Sequence, residues 1–156
     1  MHRTPRIFFP TRQRGAAAIE FALVFVIFFA IFYALVTYSL PLLMMQSFHH
    51  ATSEAVRQSI AISPTSAATP AAYVTLVRTQ ATSALSTQLA WIPPAFGFNA
   101  ASDATVAFDG KLLKVRIDYP KSKLIRVMPV LTLPVIGAVP NLPTYLSAEA
   151  SLQLAP

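Results

Sequence analysis

One acidic side chain, Glu20, heads a stretch of this 156-residue chain, residues 21–48, that holds no Lys, Arg, Asp or Glu. Ahead of it stand Gly15-Ala16-Ala17-Ala18-Ile19 and a basic leader carrying Arg3, Arg6, Arg12 and Arg14 with no acid among them. No other feature restricts the fold as much. In lipid the backbone must satisfy its own hydrogen bonds, so an apolar run of this length folds as a helix. From Ala16 to Leu40 such a helix reaches roughly 37 Å at about 1.5 Å per residue, enough to cross a hydrocarbon core of about 30 Å with some tilt. Pro41 lacks an amide hydrogen and is expected to kink or stop the helix near the far boundary. Helical spacing of Ala51, Ala55, Val56 and Ile60 carries it on to about Ile62.

The chain is 54% hydrophobic and only 12% charged, well short of the quarter or so of charged residues in an ordinary globular protein. Its net charge of +6 would suggest nucleic acid if spread over a folded surface, but four of the twelve basic residues precede Gly15. Beyond it eight bases face six acids, and the local cluster Lys111, Lys114, Arg116, Lys121, Lys123 and Arg126 has Asp109 and Asp118 in its midst. A solvated or headgroup-facing surface is expected there, and no nucleic-acid partner. The absence of cysteine excludes disulfides and thiolate metal sites.

Four arginines before the span, with no compensating positive loop directly after it, place the N-terminus in the cytoplasm and the C-terminal part outside. A cleavable secretory signal would have a shorter apolar core, about 7–15 residues, ending in small residues. Here the small residues stand at the front, and Thr37-Tyr38-Ser39 makes a poor cleavage site. An ionisable group within a membrane segment costs roughly 2.5–3.5 kcal/mol at mid-helix and less near the interface, which makes Glu20 a functional candidate.

The run Gly15-Ala16-Ala17-Ala18-Ile19-Glu20-Phe21-Ala22-Leu23-Val24 resembles the processing region of type IV prepilins, most closely the TadE-like pseudopilins of the tight-adherence system. The resemblance implies cleavage by a prepilin peptidase between Gly15 and Ala16, on the cytoplasmic side. It also implies that Glu20, fifth in the mature chain, serves subunit recognition through a neighbour's N-terminus. The residue types suit both roles. Glycine puts no side chain in a protease cleft, and cleavage would leave a positive amine on Ala16 one helical turn from Glu20, where low dielectric strengthens a pair. A glutamate that merely snorkels to the interface is the plainer alternative. Ala18 and Ala22 form a small-x-x-x-small pair that permits close helix approach, and Phe25 and Phe29, with Phe28, Phe32 and Tyr33, offer packing surface or simply face lipid. The partners implied are the prepilin peptidase, other pilin or pseudopilin subunits and inner-membrane lipid. The place implied is the bacterial inner membrane with a periplasmic C-terminal domain, or the pilus or cell surface beyond it. An unprocessed, single-pass membrane-tethered binding module is the rival reading.

The expected organisation is a cleaved leader over 1–15, a transmembrane helix over 16–40, a helix extension over 41–62 and an α+β domain over 63–156. Thr69-Pro70 reads as an N-cap with proline at the first helical position. It opens a second, amphipathic helix to about residue 90 with a stripe of Tyr73, Leu76, Val77, Ala81, Ala84 and Leu85. Residues 91–103 read as a loop. Asp109-Gly110 between alternating runs signals a hairpin, with Leu113, Val115, Ile117 and Tyr119 sharing one face. A last strand alternates Leu146, Ala148, Ala150, Leu152 and Leu154 with polar residues, completing a three-stranded, largely antiparallel sheet packed on the second helix. Leu124–Pro140, apolar but broken by three prolines and Gly137, is too short for a second crossing; an interface, lipid contact or a flap over the sheet all remain open.

His49, His50 and Glu54 raise the question of a metal, but no third convincing ligand or H-E-x-x-H spacing accompanies them, so no metal and no cofactor is expected. With no nucleophile elbow, phosphate loop or dinucleotide fingerprint and scattered carboxylates, the chain does not read as an enzyme.

Overall fold

A computed structural model describes residues 14–133 and 137–153. The leader arginines Arg3, Arg6 and Arg12, and Leu154 of the expected last strand, lie outside the described residues. The architecture is α+β. Helix α1 spans Arg14–Ile60, followed by a 3₁₀ turn at Pro64–Ser66, helix α2 (Pro70–Gln88), a second 3₁₀ turn at Pro94–Phe96 and the single turn α3 (Ala100–Asp103). Strands β1 (Ala104–Phe108) and β2 (Leu112–Pro120) come next, then the single turn α4 (Lys121–Leu124), strands β3 (Leu131–Leu133) and β4 (Gly137–Val139), and β5 (Tyr145–Gln153). The chain divides into two units, residues 1–36 and 37–156.

In the first unit the described part is the N-terminal stretch of α1. The large apolar side chains between Ile19 and Val36 that face outward are each more than half exposed. A helix with this hydropathy and no buried residues across its apolar window is long and apolar enough to cross a membrane.

The second unit is built around a three-stranded antiparallel sheet in the order β1-β2-β5. Its central strand alternates as expected, with Leu113, Val115, Ile117 and Tyr119 fully buried and Lys114, Arg116 and Asp118 on the wet face. Leu146 and Ala148 of β5 join the core, pairing Tyr119 and Ile117. The β1–β2 turn is closed by Asp109, whose Oδ1 accepts from the amides of Lys111 (2.8 Å) and Leu112 (2.7 Å), while Gly110 takes a φ of 95°, a region hostile to other residues. Asp109 is thereby held below the usual carboxylate range, the Leu112 amide contributing most.

Helix α2 begins at the expected cap, Thr69 Oγ1 accepting from the Ala72 amide at 3.1 Å. Val77, Ala81, Ala84 and Leu85 are buried, but Leu76 is exposed and Val74 packs on the core instead. Helix and sheet are tied by the edge contact of Tyr73 with Phe108 (5.8 Å) and by Arg78 Nη2 donating to the Phe108 carbonyl at 2.6 Å.

The C-terminal end of α1 does more than extend the anchor. Met44, Phe48, Ala51 and Ala55 recur every three or four residues and form a wall of the core, with Phe48 against Phe98 (5.7 Å) and Tyr119 (5.8 Å). The hydroxyls that share this stripe are satisfied within the helix, Thr52 donating to the His49 carbonyl and Ser59 to that of Ala55. Ile60, expected on the apolar side, is exposed, and Ser59 takes the buried position. The helix does not stop at Pro41. That proline lies inside α1 and is buried in the second unit, where tertiary packing offsets the lost backbone hydrogen bond.

Two segments read as irregular contain structure. Within 91–103 the Pro94–Phe96 turn ends on Gly97 in the left-handed region, and Asn99 caps α3. Within 124–140, β3 and β4 pair as a short antiparallel ribbon, Leu131 opposite Val139. Leu124 and Val139 are buried and Met128 packs on the core, so part of this segment is a flap over the sheet; Ile125, Val127, Val130 and Leu131 remain exposed.

Candidate functional site

Gly15 and Ala16 sit in the first turn of α1, and a Cβ added to Gly15 would meet no atom within 4 Å. Among the described residues nothing crowds this position. Ala16 and Glu20, four residues apart, share one face, so a terminal amine on Ala16 would lie one turn from the carboxylate. Glu20 is exposed and has no ion-pair partner among the described residues.

Ala18 and Ala22 lie one turn apart on another face. Each is two residues from Glu20, roughly 200° around the helix, so carboxylate and small pair point in nearly opposite directions. Phe25 and Phe29 follow the alanine side. With Phe21 and Tyr33 they form a ladder of stacked rings at i, i+4 spacing, with centroids 6.0, 6.3 and 6.4 Å apart. Phe28 and Phe32 add a parallel pair at 6.2 Å. The anchor thus presents an acidic face and an aromatic face, and one neighbouring helix cannot occupy both.

Folding gives Lys114, Arg116, Lys121 and Lys123 of the basic cluster partners, while Lys111 and Arg126 stay exposed. Lys114 Nζ lies 2.8 Å from Glu149, its diagonal neighbour across the β2–β5 ladder. Arg116 holds Asp118 through two contacts of 2.6 and 2.9 Å and reaches Glu149, directly opposite on β5, at 3.5 Å. Ser147 Oγ donates to Asp118 at 2.6 Å. Asp118 is held below the ordinary carboxylate range, by the Arg116 guanidinium first and the Ser147 hydroxyl second. Lys121 Nζ donates to the Leu142 carbonyl at 3.3 Å. Lys123 is drawn inward, 2.7 Å from both oxygens of Asp103 and 5.9 Å above the Tyr119 ring. Burial, and then the Asp103 charge, push the Tyr119 phenol up to about 12, so it stays a donor, bonded to the Phe96 carbonyl at 2.6 Å.

His49 and His50 are exposed, and Glu54 is committed to Arg57 (2.6 and 2.7 Å) and Gln58 (2.8 Å). No group of three or more candidate metal ligands exists among the described residues. The Asp103–Lys123 pair and the contact between Tyr38 Oη and the Asn141 amide (2.8 Å) were not foreseeable. Each joins residues distant in sequence with no local spacing to signal it.

No curated protein and no solved structure matches the chain. A family model does match, described as TadE-like protein, over residues 15–57. This stretch begins at the glycine, contains Glu20 and the aromatic ladder, and ends within the part of α1 that walls the core. The match takes in the run from Gly15 to Val24 that carries the resemblance, and over residues 15–57 the chain is similar to TadE-like proteins.

Proposed function

We propose that this protein is a pilin-like, minor pseudopilin of a tight-adherence type IVb pilus, made as a precursor, cut after Gly15 by a prepilin peptidase and acting in pilus biogenesis by association with other pilin or pseudopilin subunits. The leader stays in the cytoplasm, α1 crosses the inner membrane, and the α+β unit stands in the periplasm. The observation that carries the reading is the placement of Glu20: an exposed carboxylate in an apolar helix, on the face of Ala16 and one turn from it, in the segment matched to TadE-like proteins.

Removal of the leader exchanges four arginines for one terminal amine. Left unpaired, Glu20 carries the cost of a charge in the membrane; an amine from its own chain or a neighbour's offsets that cost. Association then has a polar point contact on one face of α1 and close apolar packing, through Ala18, Ala22, Phe25 and Phe29, on the other. Two dissimilar faces make contacts heterologous, the kind that extends into a filament when the rotation does not close a ring. Nothing in this scheme requires catalysis.

The test is complementation of a strain lacking this protein. Wild type is expected to restore surface pili, while Glu20→Ala inserts at least as well but leaves pili absent or strongly reduced. Normal pili with Glu20→Ala would remove the pairing role and favour the unprocessed tether.

A further inference from the structure

We propose that the second unit rests on the bilayer, through an interfacial belt formed by Trp91 on one side and the exposed residues of 125–131 on the other. The inference rests on the reading of α1 as a membrane span. The span is expected to close near Leu40, and the folded unit begins at Thr37, so the end of that unit carrying residues 37–43 lies at the far boundary of the hydrocarbon.

What else lies at that end follows from the hydrogen bonds. Tyr38 Oη accepts from the Asn141 amide, and the chain just beyond is fastened to the start of α4, the Lys121 amide donating to the Thr144 carbonyl and Lys121 Nζ to that of Leu142. This ties the start of α4, through residues 141–144, to the end of the unit that carries Tyr38. Helix α2 runs back toward the same end. Its first turn meets the chain just past the end of α1, where the Tyr73 hydroxyl lies 3.5 Å from the Ile62 carbonyl. At its end Gln88, with Trp91 just beyond, shares a shallow groove with Leu43, Gln46, Ser47 and His50 of α1.

The side chains displayed there match an interface. Trp91 is 46% exposed, beside the half-exposed Leu43. Ile125, Val127, Val130 and Leu131 are exposed although the core is a few residues away, and Arg126 is exposed among them. Tryptophan and tyrosine favour the headgroup level, where one end of the ring is apolar and the other wet. An arginine flanked by apolar residues can lay its stem on the acyl boundary and hold its charge among anionic headgroups. In water these side chains would form an unexplained apolar margin; against lipid they are buried without distorting the fold.

The chain has one tryptophan, so its emission reports on one place. The full chain would be reconstituted in vesicles of phosphatidylcholine and phosphatidylglycerol containing lipids brominated either near the headgroup or near the chain ends. An indole at headgroup level should lose about half its emission to shallow bromines, little to deep ones, and be shielded from aqueous iodide. Two reporters in a Trp91→Phe background complete the test: Val127→Trp should behave as Trp91 does, and Val24→Trp should be quenched by the deep bromines. If residue 24 is quenched from the bilayer interior while Trp91 and the residue-127 reporter ignore both lipids, the interfacial belt is overturned and the span stands; this holds whether they are open to iodide or shielded by a second copy. If residue 24 also ignores the deep bromines, the span itself fails and the belt fails with it.

Discussion

Glu20 and Asp103 are both carboxylates set beside apolar surroundings, one exposed on α1 and one buried in the folded unit, and they are handled in opposite ways. Asp103 is paired inside its own chain, with Lys123 at 2.7 Å, the Asn99 amide at 2.9 Å and Ser102 at 3.2 Å. Its side chain is 5% exposed and that of Lys123 25%. Breaking a buried pair from one side leaves a charge uncompensated, so Asp103→Ala should lower stability by about 2–3 kcal/mol, below the figure for a wholly buried pair because Lys123 keeps some water. Denaturant unfolding of the full chain in detergent measures this. On the wet face Asp118 provides a pH test. Its folded value is depressed, so its stabilising share is complete above the unfolded value, near pH 4, and is lost as pH falls through the folded one. Melting temperature should therefore drop on acidification below about pH 4, and less steeply in Asp118→Asn. Glu20 differs because it is exposed and has no ion-pair partner among the described residues. That isolation distinguishes a contact point from a core residue.

At the scale of elements, α1 is one helix with two solvents. Its first half shows large apolar residues all round, while its second half narrows to the stripe Met44, Phe48, Ala51 and Ala55. Phe48 is wholly buried between two aromatic rings, and Phe48→Ala should lower stability by about 3–5 kcal/mol in the same unfolding measurement. The anchor, the capped start of α2, the Asp109-Gly110 turn and the alternation of β2 were legible in the sequence, since each is written in adjacent residues or in a fixed period. The wall formed by α1 was not. Its spacing was visible, but nothing local says which helix covers a sheet. The β3–β4 ribbon was hidden for a related reason: three-residue strands are too short to show alternation. The partners of the basic cluster were hidden because charge counted along the chain says nothing of pairing across strands. Glu149 and Asp103, which neutralise much of it, lie 33 and 20 residues from Arg116 and Lys123.

For the whole molecule, the division at residues 36 and 37 separates an apolar, outward-facing helix from a unit with its own core. The family match spans that division, taking in the anchor and the core wall together. Much of the chain outside the match serves to bury one side of α1, cover one side of a sheet and carry the apolar margin around Trp91. Substitutions in the two halves should fail differently. Ala22→Leu, widening the small face of the anchor, should leave the melting temperature of the α+β unit unchanged while weakening association in the membrane, read by crosslinking between subunits; Phe48→Ala should do the reverse. The central claim is that the anchor acts only after its leader is removed. Its most direct test is the intact mass of the protein purified from membranes of cells with and without the prepilin peptidase. The account predicts a chain beginning at Ala16 when the peptidase is present and an uncut chain when it is absent; a chain retaining Arg12-Gln13-Arg14-Gly15 in both would contradict it.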